Sequence, residues 1–544
     1  MSGRRTLAPL GALFSSLALA LALGALVLLV AAAPAHARRD ATLSGDLLRA
    51  SRLLGTSRYP EAATLITDLE RRAGDLAEVR WLRAEWLFHR GEYAATVAKL
   101  AGLPDDALQG SIGATRRLAS SAAELTKDFT EVRSPGGHFL IRYAPGPDEV
   151  IAELAGEVLD AAWREIGEDL GLRPSDPIRV ELLGSPSDLA KLSPLTESEI
   201  ETTGTIALSK YNKLMVVSPR ATVVGYPWMD TLAHEYTHLL VSRLSSDNVP
   251  VWLHEGIARF EQTRWRSPPE LELSASERLL LTTAIKKRRF IGLEEMHPSM
   301  AKLPSQEAAA LAYAQVYTLV GFVHAKVGYA GLREILAVQD NGKSAKRAVS
   351  DAFGVSWSEL DKRWQRHLRT LDLATPRLVK ARQIKFTRSG KDGAKGKESA
   401  ENAGLEQVAA RSRKHARLGG MLRSRHMMDA AAVEYEKALQ LSPQDPYVTG
   451  KLARTLVELG RFDRAIELAT PLAHLDESDP VPAVTLGIAH AARKQWKQAA
   501  AAFEQALRTS PFDPTTRCGL AEVYRELSDP RLDREKRACT RLRS

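Results

Sequence analysis

The sequence predicts an α+β chain in which a small sheet and a metal-binding helix are flanked by all-α repeats. Strand-like alternation of apolar and polar residues is concentrated between residues 138 and 217. An H-E-x-x-H pentapeptide follows at residues 234–238, inside an apolar helical stretch. On both sides of this region aromatic residues recur 34 residues apart, a spacing that indicates stacked helical pairs.

Residues 1–37 have the composition of a targeting segment. Arg4 and Arg5 precede an uncharged apolar run at residues 7–33, and Ala-His-Ala at 35–37 fits a cleavage site. We therefore expect an exported protein that is periplasmic, cell-envelope associated or secreted. The apolar run is longer than most signal-peptide cores, so an uncleaved anchor holding residues 7–33 in a membrane is the alternative.

Residues 41–127 are predicted to form tetratricopeptide-like helical repeats. Tyr59 and Tyr93 occupy matching positions 34 residues apart, which is the tetratricopeptide period. Apolar residues at helical spacing, among them Leu53, Ile66 and Leu82, are expected to form the core of these repeats.

The next segment, placed at residues 135–372, contains the sheet and then the metal-binding helix. Its predicted strands and its long amphipathic helix occupy residues 138–143, 148–170 (the helix), 178–183, 204–208 and 213–217. The last two strands are expected to pair around Tyr211-Asn212. Helices are expected to follow the sheet through about Leu371.

The H-E-x-x-H pentapeptide supplies the candidate metal ligands. His234 and His238 are four residues apart and share one face of a helix, and neutral imidazole is a good zinc ligand. Glu235 follows the first ligand, where its carboxylate can take a proton from a metal-activated water. A third His at position 244 would define a metzincin, but that residue is Leu.

Catalytic zinc usually has three protein ligands, and three residues downstream compete for the third place. Sixteen residues separate Glu255 from His238, which leaves room for a turn and a return helix. The rival third ligands are His254 and Glu261.

The W-L-H-E-G-I-A segment at residues 252–258, following H-E-x-x-H, resembles the gluzincins and looks most like the bacterial peptidase MA-like family. The resemblance implies a thermolysin-like zincin fold and one Zn²⁺ per chain, bound by His234, His238 and Glu255. It implies that Glu235 is the general base of a zinc metalloendopeptidase or an aminopeptidase-like hydrolase. It also implies that the last strand before the metal-binding helix borders the cleft, where a peptide substrate can pair with its edge.

The resemblance extends to the A-Y-A-Q segment at residues 312–315. It suggests Tyr313 as the hydroxyl that stabilises the developing oxyanion. Tyr317, one helical turn away, is the competitor, and a purely packing role is the other interpretation of both. The sequence departs from thermolysin-like enzymes at Arg259, where these often carry a carboxylate that orients a zinc-bound His; the orienting group is therefore unassigned.

Residues 376–410 are predicted to be a basic flexible linker. Between residues 377 and 397 there are eight Lys/Arg and one Asp, net +7. No aromatic stacking pattern accompanies these charges, so we interpret the segment as a solvated spacer and expect no nucleic-acid partner.

Residues 411–544 are predicted to be a second tetratricopeptide array. Pro446, Pro480 and Pro514 are spaced by 34 residues, and so are Met428, Phe462 and Trp496. Such arrays bind peptides or partner proteins, and behind a flexible linker this one is expected to contact the preceding domain little. Whether Cys518 and Cys539 pair is left open by the sequence.

Two functions are consistent with these features. The first is an exported zinc-dependent metallopeptidase acting on a peptide or protein. The alternative is a non-catalytic envelope scaffold that works through its repeats. Glu235 favours the enzyme, since a structural metal site needs ligands but no base.

Overall fold

A computed structural model describes residues 37–268, 270–297, 300, 303–339, 343–374, 386, 405 and 408–543. The predicted targeting segment, apart from its last residue, and most of the predicted basic linker lie outside these residues. The chain forms two compact units, Met1–Lys127 and Asp128–Ser544. The described residues contain 22 α-helices and one five-stranded sheet.

The first unit is entirely helical in its described part. Its helices are α1 (Ala37–Gly55), α2 (Tyr59–Ala73), α3 (Ala77–His89), α4 (Tyr93–Lys99) and α5 (Ser111–Thr126). Tyr59 and Tyr93 begin α2 and α4, so the 34-residue spacing marks equivalent helix starts. The predicted core residues Leu53, Ile66 and Leu82 are buried.

The second unit opens with the sheet. Its strands are β1 (Thr130–Arg133), β2 (Phe139–Tyr143), β3 (Ile178–Leu183), β4 (Ala207–Lys210) and β5 (Lys213–Val217). The order is β1-β2-β3-β5-β4, with parallel pairing in the centre and an antiparallel strand at each edge. The amphipathic helix α6 (Glu149–Leu170) connects the parallel strands β2 and β3.

Three strand predictions were wrong. β1 was missed, because it is only four residues long and mostly exposed. The strand predicted at 204–208 begins at Ala207, because α8 (Glu197–Thr203) precedes it and Gly204 closes that helix in the left-handed conformation. The last strand before the metal-binding helix, β5, is not at the edge; it lies between β3 and β4, and β4 is the edge strand.

The β4–β5 turn follows the prediction. Tyr211 and Asn212 both have positive φ, 55° and 58°. Two consecutive residues in this conformation give the turn twist that matches a two-residue hairpin.

Helices complete the domain around the sheet. They are α7 (Pro186–Leu192), α9 (Trp228–Ser245), α10 (Val251–Glu261), α11 (Ala275–Lys287), α12 (Gln306–Ala337), α13 (Ala345–Phe353) and α14 (Trp357–Leu368). α12 is long and apolar enough to cross a membrane, but its Val316 and Val320 are buried in the core of this domain. Gly256 lets α10 approach α12, since a Cβ there would lie 2.7 Å from Val320 Cγ2.

The C-terminal array consists of four helical pairs. Its helices are α15 (Ala410–Ser424), α16 (Met428–Leu441), α17 (Pro446–Glu458), α18 (Phe462–Leu475), α19 (Pro480–Ala492), α20 (Trp496–Leu507), α21 (Pro514–Leu527) and α22 (Leu532–Arg543). The repeated prolines are the first residues of α17, α19 and α21, and the aspartate before each accepts hydrogen bonds from backbone N–H groups of the first turn. Cys518 and Cys539 form a disulfide between α21 and α22.

The expectation that the array makes few contacts with the domain before it was wrong. At the first residue of α9, the Trp228 indole N–H donates to Leu507 O at 2.9 Å. The backbone N–H of Trp228 donates to Arg508 O at 3.1 Å. The array therefore satisfies a donor at the start of the helix that carries H-E-x-x-H.

A second contact joins the end of the array to α6. Arg517 and Glu535 form an ion pair at 2.9 Å, and both side chains are fully buried. Arg517 also donates to Val150 O at 3.0 Å, and Arg534 pairs with Glu157. The 34-residue pattern describes how repeats stack on each other. It carries no information about these contacts between the array and α6.

Gly225 offers a direct test of the docked array. Its φ is 78° and a Cβ would lie 2.2 Å from Thr509 O. Gly354 is a matched control, with φ 77° and nothing within 4 Å of a Cβ. Gly354→Ala should cost only the left-handed strain, about 1–2 kcal/mol. Gly225→Ala should cost about 1–3 kcal/mol more, because a backbone atom must move.

Thermal unfolding of the two variants and the unaltered protein measures this difference. Equal losses of stability would show that Thr509 does not pack on Gly225 in solution.

Candidate metal centre

Two consecutive helices that pack on each other build the centre. α9 carries His234, Glu235 and His238, and it ends where Ser246 adopts the left-handed conformation at φ 49°. The chain then turns. α10 starts directly after Pro250, whose nitrogen has no hydrogen to donate to a helical hydrogen bond. The return of α10 along α9 brings Glu255 opposite the two histidines.

The three candidate ligands converge on one point. Glu255 Oε2 lies 3.4 Å from His234 Nε2 and 3.4 Å from His238 Nε2. All three ligand atoms lie within 4.8 Å of one another. The two rings, with centroids 4.6 Å apart, lie on one face of α9 as the i, i+4 spacing predicts.

These residues fit a tetrahedral cation. Zinc bonds of about 2.1 Å place neighbouring ligand atoms of a tetrahedron about 3.4 Å apart, which matches both carboxylate–imidazole distances. Glu255 Oε2 is buried and has no hydrogen-bond partner among the described residues. A buried acceptor of this kind is costly unless a cation or donor satisfies it. Two imidazoles and one carboxylate are also the donor set of many catalytic zinc sites.

Electrostatics separates the roles of the two carboxylates. Burial alone would raise the pKa of Glu255, but the imidazoles of His238 and His234 outweigh it and hold that pKa well below its usual value. Burial raises the pKa of Glu235, and the same imidazoles offset this only in part. Glu235 Oε2 is also buried without a partner. Glu255 is therefore the permanent anion, and Glu235 is the stronger proton acceptor.

Neither rival third ligand joins this cluster. His254 contacts the outer side of His238, with 2.5 Å between the two Nδ1 atoms. Glu261 is fully buried, and Asp169 and Arg264 are the charged groups that act on it. The group of potential ligand atoms that the described residues form here is His234, His238 and Glu255.

The two candidate tyrosines separate as well. The Tyr317 hydroxyl donates to Glu270 O at 3.1 Å and accepts from Glu272 N at 2.9 Å, so it holds the segment before α11. The Glu255 carboxylate, then burial, then Glu235 raise the pKa of Tyr313 well above its usual value. Both carboxylates of the candidate site act on Tyr313, so it stays the candidate for the oxyanion donor.

Sequence reasoning missed the groups behind His238. The His254 ring continues to Ser242, with 3.2 Å between His254 Nε2 and Ser242 Oγ, and Ser242 Oγ donates to Asp247 Oδ1 at 2.9 Å. Ser242 lies four residues after His238, a spacing that could have drawn attention to it. Arg259, which replaces the expected orienting carboxylate, pairs with Glu277 at 3.0 Å and lies over the Tyr317 ring.

Comparison with known proteins identifies two family matches within the chain. Residues 160–370 contain a domain of the Peptidase MA superfamily. Residues 422–483 match the tetratricopeptide repeat. No curated protein matches the chain.

Solved structures resemble the chain only weakly. A MamA structure is 20% identical, with a TM-score of 0.23 over 27% of this chain and 89% of its own. Leukotriene A4 hydrolase from Saccharomyces cerevisiae is 9% identical, with a TM-score of 0.27 over 77% of this chain and 67% of its own. Yeast Tom70 is 12% identical, with a TM-score of 0.18 over 92% and 91%. Scores this low carry no argument about activity.

The buried Glu261 gives a prediction about pH. Burial, with the Asp169 carboxylate nearby, raises the pKa of Glu261 to about 8, against roughly 4.3 in an unfolded chain. Between these values the folded protein binds more protons than the unfolded chain, so stability falls as pH rises. Glu261→Gln removes this decline. The change in melting temperature that it causes should therefore be more favourable at pH 9 than at pH 5, by about 5 °C.

Melting temperatures at pH 5, 7 and 9 provide the measurement, with Glu334→Gln on the exposed face of α12 as the control. A pH dependence identical to that of the unaltered protein would exclude a protonated Glu261.

Proposed function

We propose that this protein is an exported zinc-dependent metallopeptidase of the gluzincin type, with a thermolysin-like catalytic domain. The observation that carries the proposal is the placement of Glu255 Oε2 at 3.4 Å from both His234 Nε2 and His238 Nε2. Glu235 stands beside these ligands with an unpartnered, buried oxygen. The match of residues 160–370 to the Peptidase MA superfamily supports the same reaction class.

In this mechanism His234, His238 and Glu255 would hold one zinc ion, which would polarise the scissile carbonyl and make a water molecule more acidic. Glu235 takes the proton of the attacking water on its carboxylate and passes it to the leaving amine. The Tyr313 hydroxyl donates a hydrogen bond to the oxygen that becomes negative.

The edge strand β4 is the proposed substrate platform. It pairs only with β5 among the described strands, and the Ser209 backbone amide on β4 reaches the Glu235 carboxylate. An extended peptide added along this edge would cross the centre by β-augmentation. This role replaces the one expected for β5.

Export is supported by the apolar run at residues 7–33 and by the Cys518–Cys539 disulfide. Disulfides persist in oxidising compartments such as the periplasm. We propose a periplasmic or envelope location, with membrane association through residues 7–33 where they are not cleaved.

The array is proposed to bind a protein partner or substrate, as tetratricopeptide surfaces do. The alternative function, a non-catalytic envelope scaffold, uses the same surface. A scaffold gives no role to Glu235, because this buried carboxylate is not one of the candidate metal ligands.

Substitution of Glu235 tests the reaction. Glu235→Gln should keep one zinc per chain and abolish peptide hydrolysis, because an amide cannot accept the proton of the water. His238→Ala is the paired variant and should lose most of the zinc. Zinc content by elemental analysis and cleavage of a peptide library, with and without chelator, are the measurements.

Two outcomes count against the proposal. Undiminished hydrolysis by Glu235→Gln would remove its role as the base. Unchanged zinc content in His238→Ala would show that the ligand set is wrong.

The tyrosines are distinguished by two matched substitutions. Tyr313→Phe should lower kcat about 10²–10³-fold, the usual loss for one oxyanion donor, while zinc content and melting temperature stay unchanged. Tyr317→Phe should mainly lower the melting temperature, because it removes two hydrogen bonds to the segment at 270–272. Steady-state kinetics and thermal unfolding measure both effects, and the reverse pattern would make Tyr317 the site residue.

A further inference from the structure

A continuous chain of polar contacts leads from His238 to an acidic side chain just beyond the C-terminal end of α9. His238 Nδ1 contacts His254 Nδ1 at 2.5 Å. His254 Nε2 contacts Ser242 Oγ at 3.2 Å, and Ser242 Oγ donates to Asp247 Oδ1 at 2.9 Å. The chain starts on the side of the His238 ring away from Glu255, because Nε2 faces Glu255 Oε2.

The direction of these hydrogen bonds follows from the group at the end. A carboxylate only accepts hydrogen bonds, so the Ser242 hydroxyl gives its proton to Asp247. Ser242 Oγ then accepts from His254 Nε2–H, which leaves His254 Nδ1 as an acceptor. That acceptor requires a proton on His238 Nδ1, and the lone pair of His238 is then on Nε2, pointing into the centre.

The local backbone holds this chain in place. Asp247 follows the end of α9 with φ 57°, and its backbone N–H donates to Ser242 O at 2.9 Å. His254 is fixed by α10, next to Glu255, and its ring meets that of His238 edge to edge, with centroids 4.5 Å apart and 27° between the ring planes. Each member is thus held by a helix or a turn and not by the metal.

We propose that His254, Ser242 and Asp247 are positioning residues that select the Nδ1–H tautomer of His238 and aim its Nε2 at the metal. The inference rests on the proposed metal site. It supplies the orienting group that Arg259 cannot provide, because a guanidinium has no acceptor. Supporting groups of this kind typically change metal affinity about 10–100-fold when removed.

The test measures zinc affinity of the apo-protein by competition with a chelating dye, independently of peptidase activity. His254→Phe keeps a ring and removes the acceptor, and it should weaken zinc binding about 10–100-fold. His254→Asn retains an acceptor near the Nδ1 position and should recover most of that loss. Ser242→Ala and Asp247→Asn leave both imidazoles in place and should give smaller losses, about 3–10-fold, because their hydrogen bond is exposed to solvent.

His324→Phe is the matched control, since His324 is a half-buried histidine that contacts Phe260 and Tyr329 away from the centre. It should leave zinc affinity unchanged. The visible absorption of the cobalt-substituted protein adds a second readout, because its d–d bands depend on the orientation of His238. If His254→Phe changed these bands only through a general loss of packing, His254→Asn would not restore them.

Equal zinc affinity in His254→Phe and the unaltered protein would overturn the inference, and so would equal losses in His254→Phe and His254→Asn. If His254→Phe does not fold, Ser242→Ala and Asp247→Asn decide, and unchanged affinity in both overturns it. Failure of the unaltered protein to bind zinc would instead overturn the proposed function, together with everything that depends on the site.

Discussion

The contact on which the centre depends is that of one carboxylate with two imidazoles. Glu255 Oε2 is inaccessible to solvent and lacks a hydrogen bond, and removing such a charge from water costs several kcal/mol unless positive charge or a cation compensates. In the proposed site the compensation is the zinc ion that His234 and His238 of α9 would share with this carboxylate. α10 must therefore return along α9 at one distance and in one register, or the buried charge is left unpaired.

Packing behind α10 enforces that register. Gly256, next to Glu255, allows α10 to approach Val316 and Val320 of α12. Any larger residue would push Glu255 away from the histidines, since close-packed interiors transmit such shifts. Trp252 and Ile257 bury the remaining inner face of the helix. The W-L-H-E-G-I-A pattern thus combines one candidate ligand, the histidine proposed to position His238 and the packing that fixes both.

The sequence could place the two histidines of the candidate site together because their geometry is local. Residues four apart on a helix share a face, so the proximity of His234 and His238 could be predicted without tertiary information. The spacing left room for Glu255 on a return helix, and the resemblance to the gluzincins then favoured it over His254 and Glu261. By contrast, three other features depend on contacts between elements far apart in the chain. They are the edge position of β4, the choice of Tyr313 over Tyr317 as the candidate at the site, and the separation of Glu261 from the centre. No pattern of apolar residues encodes such contacts.

The array was misjudged for the same reason. Its 34-residue register states how each helix pair packs on the next, and that register is observed. The contacts of Trp228 with Leu507 and Arg508 involve backbone carbonyls, which every residue possesses. A main-chain acceptor leaves no signature in the sequence, so the docking surface was invisible, even though Gly225 marks its position.

Docking changes how a partner bound to the array would meet the active site. A repeat domain on a free tether raises the local concentration of its cargo without fixing its orientation. Here Asp230 in the first turn of α9 pairs with Arg266 at 3.1 Å, and Arg266 in turn contacts Glu477 of the array at 3.5 Å. The array, the first turn of α9 and the ligands at residues 234–238 thus form one packed body. Under the proposed function, a protein held on the array would therefore be presented to the centre in a fixed orientation, and geometry would select which peptide bond reaches Glu235.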